Sequence, residues 1–188
     1  MISRAKALEI LHQHIKNPKM IMHSIAAEIV MRALARKLGE NEEKWGLAGL
    51  LHDLDVEVTH ADPYTHGTVT RELLKGEDVP EDVLDAIEHH NEVSAPTPRH
   101  TIFQHALAAG ETITGLIFAT ALVYPDKKIS SVKASSVVKR MKEKNFAASV
   151  KRENILECEK IGIPLPEFAQ LALEALSKEE HYFDLTQK

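Results

Sequence analysis

Apolar and polar positions recur at three- and four-residue intervals along most of the chain, while long alternating Val/Ile/Thr runs and Asn-Gly or Asp-Gly hairpin turns do not occur. The pattern predicts helices. A first helix covers about residues 4 to 15 and stops at Asn17-Pro18, because proline disfavours the helical conformation in the residue before it. A second covers about 20 to 38, with Gly39 as its C-cap. Asn41 caps a third, which carries the apolar run Trp45-Gly46-Leu47-Ala48-Gly49-Leu50-Leu51 into His52-Asp53. A loop through Asp62-Pro63 leads to a fourth over about 65 to 74, and Pro80 opens a fifth that runs to 87. The longest, over about 101 to 123, follows the loop Ala95-Pro96-Thr97-Pro98. Short helices near 153–161 and 166–177 complete the chain. There is no internal repeat. The reading is an all-α domain over residues 1–125, with a basic and then helical extension over 126–188 packed on the same domain.

The stretch 105–124 contains one charged residue, Glu111, and is about long enough to span a bilayer. It also holds Gly110, Gly115 and three threonines and has no hydrophobic partner segment, so a buried central helix is the better expectation. With 188 residues, 44% of them hydrophobic, the chain can build a core without disulfides. Its single cysteine, Cys158, cannot form an internal bridge, and the first residues lack a continuous apolar stretch of the signal-peptide kind; a cytoplasmic location is expected. A net charge of −5 excludes a uniformly basic nucleic-acid binder.

Eleven histidines change the picture. His23 has Ala26, Ala27, Val30 and Leu34 at helical spacings, which puts it on an apolar face where a hydrogen-bonded core histidine and a metal ligand are both possible. Asp53 directly follows an apolar run, and carboxylates rarely enter a core unpaired. Glu111 shares its helix face with Leu107, Ala108, Gly115, Phe118 and Leu122, and no Lys or Arg lies between His105 and Tyr124. A divalent cation would neutralise it; a protonated Glu or a distant arginine is the alternative. Neighbouring helical residues diverge by about 100°. His52 and Asp53 therefore bind one ion only from the edge between them, unless the carboxylate bridges two. Imidazole and carboxylate together favour Fe, Mn, Zn, Co or Ni.

The order His23, then Gly49-Leu50-Leu51-His52-Asp53-Leu54-Asp55, then a late acid, resembles the H…HD…D pattern of the HD-domain metal-dependent phosphohydrolases, over roughly residues 20 to 125. The stretch Glu111-Thr112-Ile113-Thr114-Gly115-Leu116-Ile117, with Pro125 and Lys127-Lys128, is similar to a bacterial HD/HDIG-type hydrolase subgroup, and that similarity continues through residues 139–154. The resemblance implies an HD-type helical bundle with His23, His52, Asp53 and Glu111 as metal ligands. It departs at Glu111, where the family normally has Asp. Some HD proteins hold two ions through extra histidines; His66 and His89 or His90 fall in the right interval, so one or two ions are expected. The Gly-Tyr-Pro signature of the HD-GYP phosphodiesterases is missing after His89-His90-Asn91-Glu92.

Residues 127–152 carry nine basic residues and one acid, Glu143. Such a run is either a solvated face or a phosphate clamp, with Lys139 and Arg140 the candidates for the clamp. Phe146 alone offers little for stacking bases, which argues against nucleic acid as a partner. The expected function is a phosphohydrolase for a nucleotide or other small phosphate ester, with Asp53, His66 and His89 in catalytic roles and no membrane involvement. The alternatives are an HD-type diiron oxygenase and a non-catalytic, metal-stabilised binding module.

Overall fold

The helices begin where side chains can satisfy the first free backbone N–H groups. In the computed structural model, which describes residues 1–185, they are α1 (Arg4–His14), α2 (Pro18–Leu38), α3 (Glu42–Leu51), α4 (Val69–Leu73), α5 (Glu81–Glu88), α6 (Ile102–Leu122), α7 (Ala134–Arg140), α8 (Arg152–Ile155) and α9 (Leu165–Lys178). The expected extension runs on to 188, so its last three positions lie outside the described residues. Ser3, Asn17 and Asn41 accept backbone N–H bonds at the starts of α1, α2 and α3, and Thr101 forms a reciprocal capping box with Gln104 at α6. Gly39 ends α2 in the left-handed region, with φ 74°. The described residues are all-α, with short 3-10 turns and no strand.

Two segments depart from the periodicity. The fourth helix is shorter than expected, because Gly67 adopts φ 97° and residues 65–68 form turns before α4 begins. Helix α7 arises inside the basic run, where charge obscured the apolar positions; Val137 is its buried anchor.

Helix α6 is the centre. It packs on α2, α3, α5, α7, α8 and α9. It is long and apolar enough to cross a membrane by length and composition, and 72% of its most apolar window is buried inside the protein. The extension rests on it: α8 and the 3-10 turn Leu156–Ile161 lie against α6, and α9 lies against α2. Cys158, on that turn, is fully buried; burial, with help from Glu159, pushes its thiol up to about 12.

Helices α2 and α3 meet backbone to backbone. A Cβ at Gly49 would lie 2.7 Å from the carbonyl carbon and oxygen of Ala27 and 2.8 Å from the Glu28 nitrogen, so hydrogen is the only side chain this approach admits. Beside it, the buried Glu28 carboxylate accepts two bonds from Arg4, at 2.7 and 2.9 Å, and one from Arg32 at 3.0 Å, fastening α1 onto α2.

Candidate metal centre

His23 projects from the second turn of α2, His52 and Asp53 from just past the end of α3, His66 from the turns that follow, His90 from just beyond α5, and Glu111 from α6. Asp53 sits at the middle. His23 Nε2 lies 3.4 Å from Asp53 Oδ2, and His52, His66 and His90 Nε2 lie 3.3, 3.0 and 3.4 Å from Oδ1. Among the described residues, two groups of three donor atoms come within 4.8 Å of one another: His23, His52 and Asp53, and Asp53, His66 and His90. Asp53 belongs to both.

The other nitrogen of each ring is committed. His52 Nδ1 donates to the Gly49 carbonyl at 2.8 Å and His90 Nδ1 to the Ile87 carbonyl. His66 Nδ1 donates to Asp55 Oδ1 at 2.8 Å. Thr114 gives its hydroxyl hydrogen to the Glu111 carbonyl, which leaves its oxygen to accept from His23 Nδ1 at 2.9 Å. With Nδ1 holding a proton in each case, the neutral form of every ring presents its Nε2 lone pair to the centre. Yet His23 and His52 Nε2 are 3.1 Å apart, as are His66 and His90 Nε2. Facing lone pairs repel, and either a proton on one ring or a cation held by both relieves the repulsion. With the rings neutral the donor set fits bound divalent ions, and the outer hydrogen bonds orient the ligands.

The HD domain matches residues 20–122, a span that contains every donor in both groups. The chain belongs to the HD domain family. Two relatives are ribonuclease Y of Acholeplasma laidlawii, 34% identical over 76 residues, and ribonuclease Y of Fusobacterium nucleatum subsp. nucleatum, 30% identical over 105 residues. These alignments cover 40% and 55% of this chain but 14% and 21% of the relatives, so the chain spans a small part of either. No solved structure matches. HD domains bind divalent metals, and the family together with the donor cluster supports a metal-dependent hydrolase in the broad sense.

Around this HD cluster the structure resolves what the sequence left open. His90, not His89, joins His66. The His89 ring is buried, donates through Nδ1 to the Asp85 carbonyl at 2.8 Å and meets the Thr97 hydroxyl through Nε2 at 3.0 Å. It holds the loop before α6 and has no nitrogen left for an ion or substrate. Glu111 stands at the edge: its Oε2 is 3.7 Å from His23 Nε2, outside both groups of three, and Thr112 donates to its other oxygen. Asp55, given no role from sequence, is fully buried and accepts from His66 and from the backbone N–H groups of Gly67 at 2.8 Å and Thr70 at 3.0 Å. A second acid two residues after Asp53 was its signal.

A pocket of about 280 Å³ opens over the donors, lined also by Asn91, Thr112, Gly115, Ser149, Val150, Lys151 and Asn154. Lys139 and Arg140 do not line it. Lys139 is exposed, and Arg140 pairs with Glu143 and lies 4.2 Å over the Phe146 ring. The short helix α7 ends at Arg140 away from the donors, and Lys151 is the basic residue of that run that reaches the pocket.

Burial disfavours charge on His66, but hydrogen bonds and attraction from Asp53 and Asp55 outweigh it and raise the ring from 6.5 to about 10. Burial acts likewise on His52, and chiefly Asp53 overcomes it, so that ring is raised too. Because His66 is raised in the folded state, its charged pairing stabilises the metal-free fold fully below about 6.5 and is lost as pH rises through about 10. Metal binding has the opposite sign, because it requires the unprotonated ring. The gap in melting temperature between metal-loaded and chelated protein should therefore widen from about pH 6 to about pH 9. Paired thermal melts across that range check it, and a constant gap would count against ligation by His66.

Proposed function

We propose that the protein is a cytoplasmic, metal-dependent phosphohydrolase that acts on a nucleotide or other small phosphate ester. The reading is carried by one observation: four imidazoles with their Nδ1 atoms engaged converge through Nε2 on a single carboxylate, Asp53, in two groups of three donors. His23, His52 and Asp53 would hold one ion and Asp53, His66 and His90 a second, with Glu111 beside the first. Fe, Mn, Zn, Co and Ni all suit these donors. When bound, such ions supply a Lewis acid for the phosphoryl oxygen and a water acidic enough to ionise near neutral pH.

The chain's own groups do the rest. Asp55 and Thr114 keep His66 and His23 in one tautomer. Asn91 and Asn154 line the pocket as neutral hydrogen-bonding groups, and Lys151 brings positive charge to a site whose other titratable groups are carboxylates and imidazoles. At about 280 Å³ the pocket lies just below the roughly 300–1,000 Å³ usual for small-molecule sites, which favours a small substrate or the end of a larger one. Among the described residues no Phe, Tyr or Trp lines it, and base-stacking platforms depend chiefly on such residues.

The similarity to ribonuclease Y favours a second reading, in which the ester is an RNA phosphodiester. One experiment tests both. The metal-loaded protein is offered a panel of nucleotides, small phosphate mono- and diesters and short RNA, with and without chelator. Chelator-sensitive hydrolysis of small esters but not RNA supports the first reading, and RNA cleavage supports the second. A fully metal-loaded protein inert toward every member would overturn both.

A further inference from the structure

Arg152 sits inside a loop and binds it from within. Its Nη1 donates to the carbonyls of Ala147 at 2.6 Å and Val150 at 2.8 Å. Its Nη2 faces those of Phe146, Glu143 at 3.3 Å and Arg140 at 3.4 Å. Five carbonyls of a single stretch thus converge on one guanidinium. Lysine has three donors on one atom and cannot fan out in this way. The winding is tight enough to hold Ala147 at φ 45°, a left-handed conformation that costs a non-glycine residue.

The winding sets down residues 149–151 on the wall of the HD pocket. Gly115 of α6 makes room, since a Cβ there would lie 3.2 Å from Val150 Cγ2. Lys151 is the one Lys or Arg among the described residues lining the pocket. Its ammonium pairs with Glu92 at 3.2 Å, and both side chains are almost half exposed. An ion pair so open to solvent is weak and readily exchanged. The loop and Arg152 lie beyond residues 20–122, so they add to the family domain, which supplies Gly115 and Glu92.

We propose that loop 141–151, wound on Arg152, is the phosphate-gripping wall of the site. Lys151 leaves Glu92 to bind an oxygen of a single phosphate group, the Ser149 hydroxyl stands beside it, and Arg152 is the positioning residue that holds both in place. One ammonium suits one phosphate group better than a polyphosphate chain, whose charge would need several cations. The inference rests on the phosphohydrolase reading.

Calorimetric titration of inorganic phosphate into the metal-loaded protein tests it, using wild type, Lys151→Ala, Glu92→Gln and Arg152→Lys with metal content measured for each. Lys151→Ala should weaken phosphate binding about tenfold, the loss expected for one charge-assisted hydrogen bond. Glu92→Gln removes the competing carboxylate and should tighten it severalfold. Arg152→Lys keeps the charge but unwinds the loop; it should weaken phosphate as Lys151→Ala does while metal content stays at the wild-type level. If wild type binds phosphate and neither Lys151→Ala nor Glu92→Gln alters its affinity, the wall is wrong and the phosphohydrolase reading stands. If the fully metal-loaded wild type binds no phosphate and hydrolyses no ester, that reading falls and the inference falls with it. The exposed Lys151 and Glu92 substitutions keep the test decisive even if Arg152→Lys misfolds.

Discussion

Asp53→Asn should empty both metal positions in one substitution. Asparagine keeps the volume and one acceptor oxygen, so the change removes charge and leaves the packing. Asp53 is 7% exposed, and burial alone would favour its neutral form. The charge of His52 and hydrogen bonds from His23, His52 and His66 overcome that, holding Asp53 well below the usual carboxylate range. It is the one negative group shared by the two sets of donors. In surroundings of low dielectric, two divalent ions without it would face each other across neutral imidazoles. Changing an outer partner of a metal ligand costs about 10–100-fold in affinity, so losing the shared ligand itself should cost more than about 100-fold. His23→Asn and His90→Asn supply the contrast, because each belongs to a single set. Elemental analysis of the three variants should read none, one and one ion against two in wild type. Loss of one ion in Asp53→Asn would mean that the carboxylate is not shared, and full occupancy would mean that it is no ligand.

Gly49→Ala should lower both stability and metal affinity, although alanine is the better helix former. The added methyl meets backbone atoms of Ala27 and Glu28 at 2.7–2.8 Å, and backbone cannot rotate aside. Overpacking costs about 1–3 kcal/mol, commonly toward the upper end where nothing can yield. Alanine recovers about 1 kcal/mol of helix propensity. The net loss is about 1–2 kcal/mol, or roughly 2–8 °C in melting temperature for a chain of this size. Separating α2 from α3 also separates His23 from His52, which are 3.1 Å apart, so metal affinity should fall with it. Gly110→Ala is the control. Its methyl would meet Met31 Sδ at 2.8 Å, the flexible end of a thioether that can turn away. Thermal melts and metal titrations of both variants check the argument, and a Gly49→Ala protein that matches wild type in both would refute it.

Local rules were enough to read α2, α3 and α6, because Asn17, Gly39, Asn41 and Thr101 act within one turn of themselves, but not α7 or the length of α4. His52-Asp53 was legible for a similar reason: a charged pair closing an apolar run has few ways to be satisfied. The choice between His89 and His90 was not. They are adjacent at the end of α5, a step of one residue turns the side chain by about 100°, and only the packed position of α5 decides which ring faces Asp53. Thr114 was visible in the sequence but read as a residue too polar for a membrane; its part in fixing His23 depends on α2 crossing α6. Lys151 had no local signal to separate it from the other cations of the basic run. Its place follows from Arg152 gathering carbonyls from residues 140 to 150, a long-range arrangement that charge counting cannot detect.

Cys158 gives the fold an internal clock. As the sole thiol, fully buried under α6 on the turn that follows α8, it can meet a reagent only while that layer is parted from the core. Its labelling rate therefore counts local openings, and comparison with the rate of global unfolding separates breathing of this layer from collapse of the whole molecule. Asn154 and Glu157 tie the same layer, through Arg99, to the carbonyls of His89 and His90. Slower labelling in the presence of metal would then report how far order at the donors spreads into the distal helices, with no probe added to the chain.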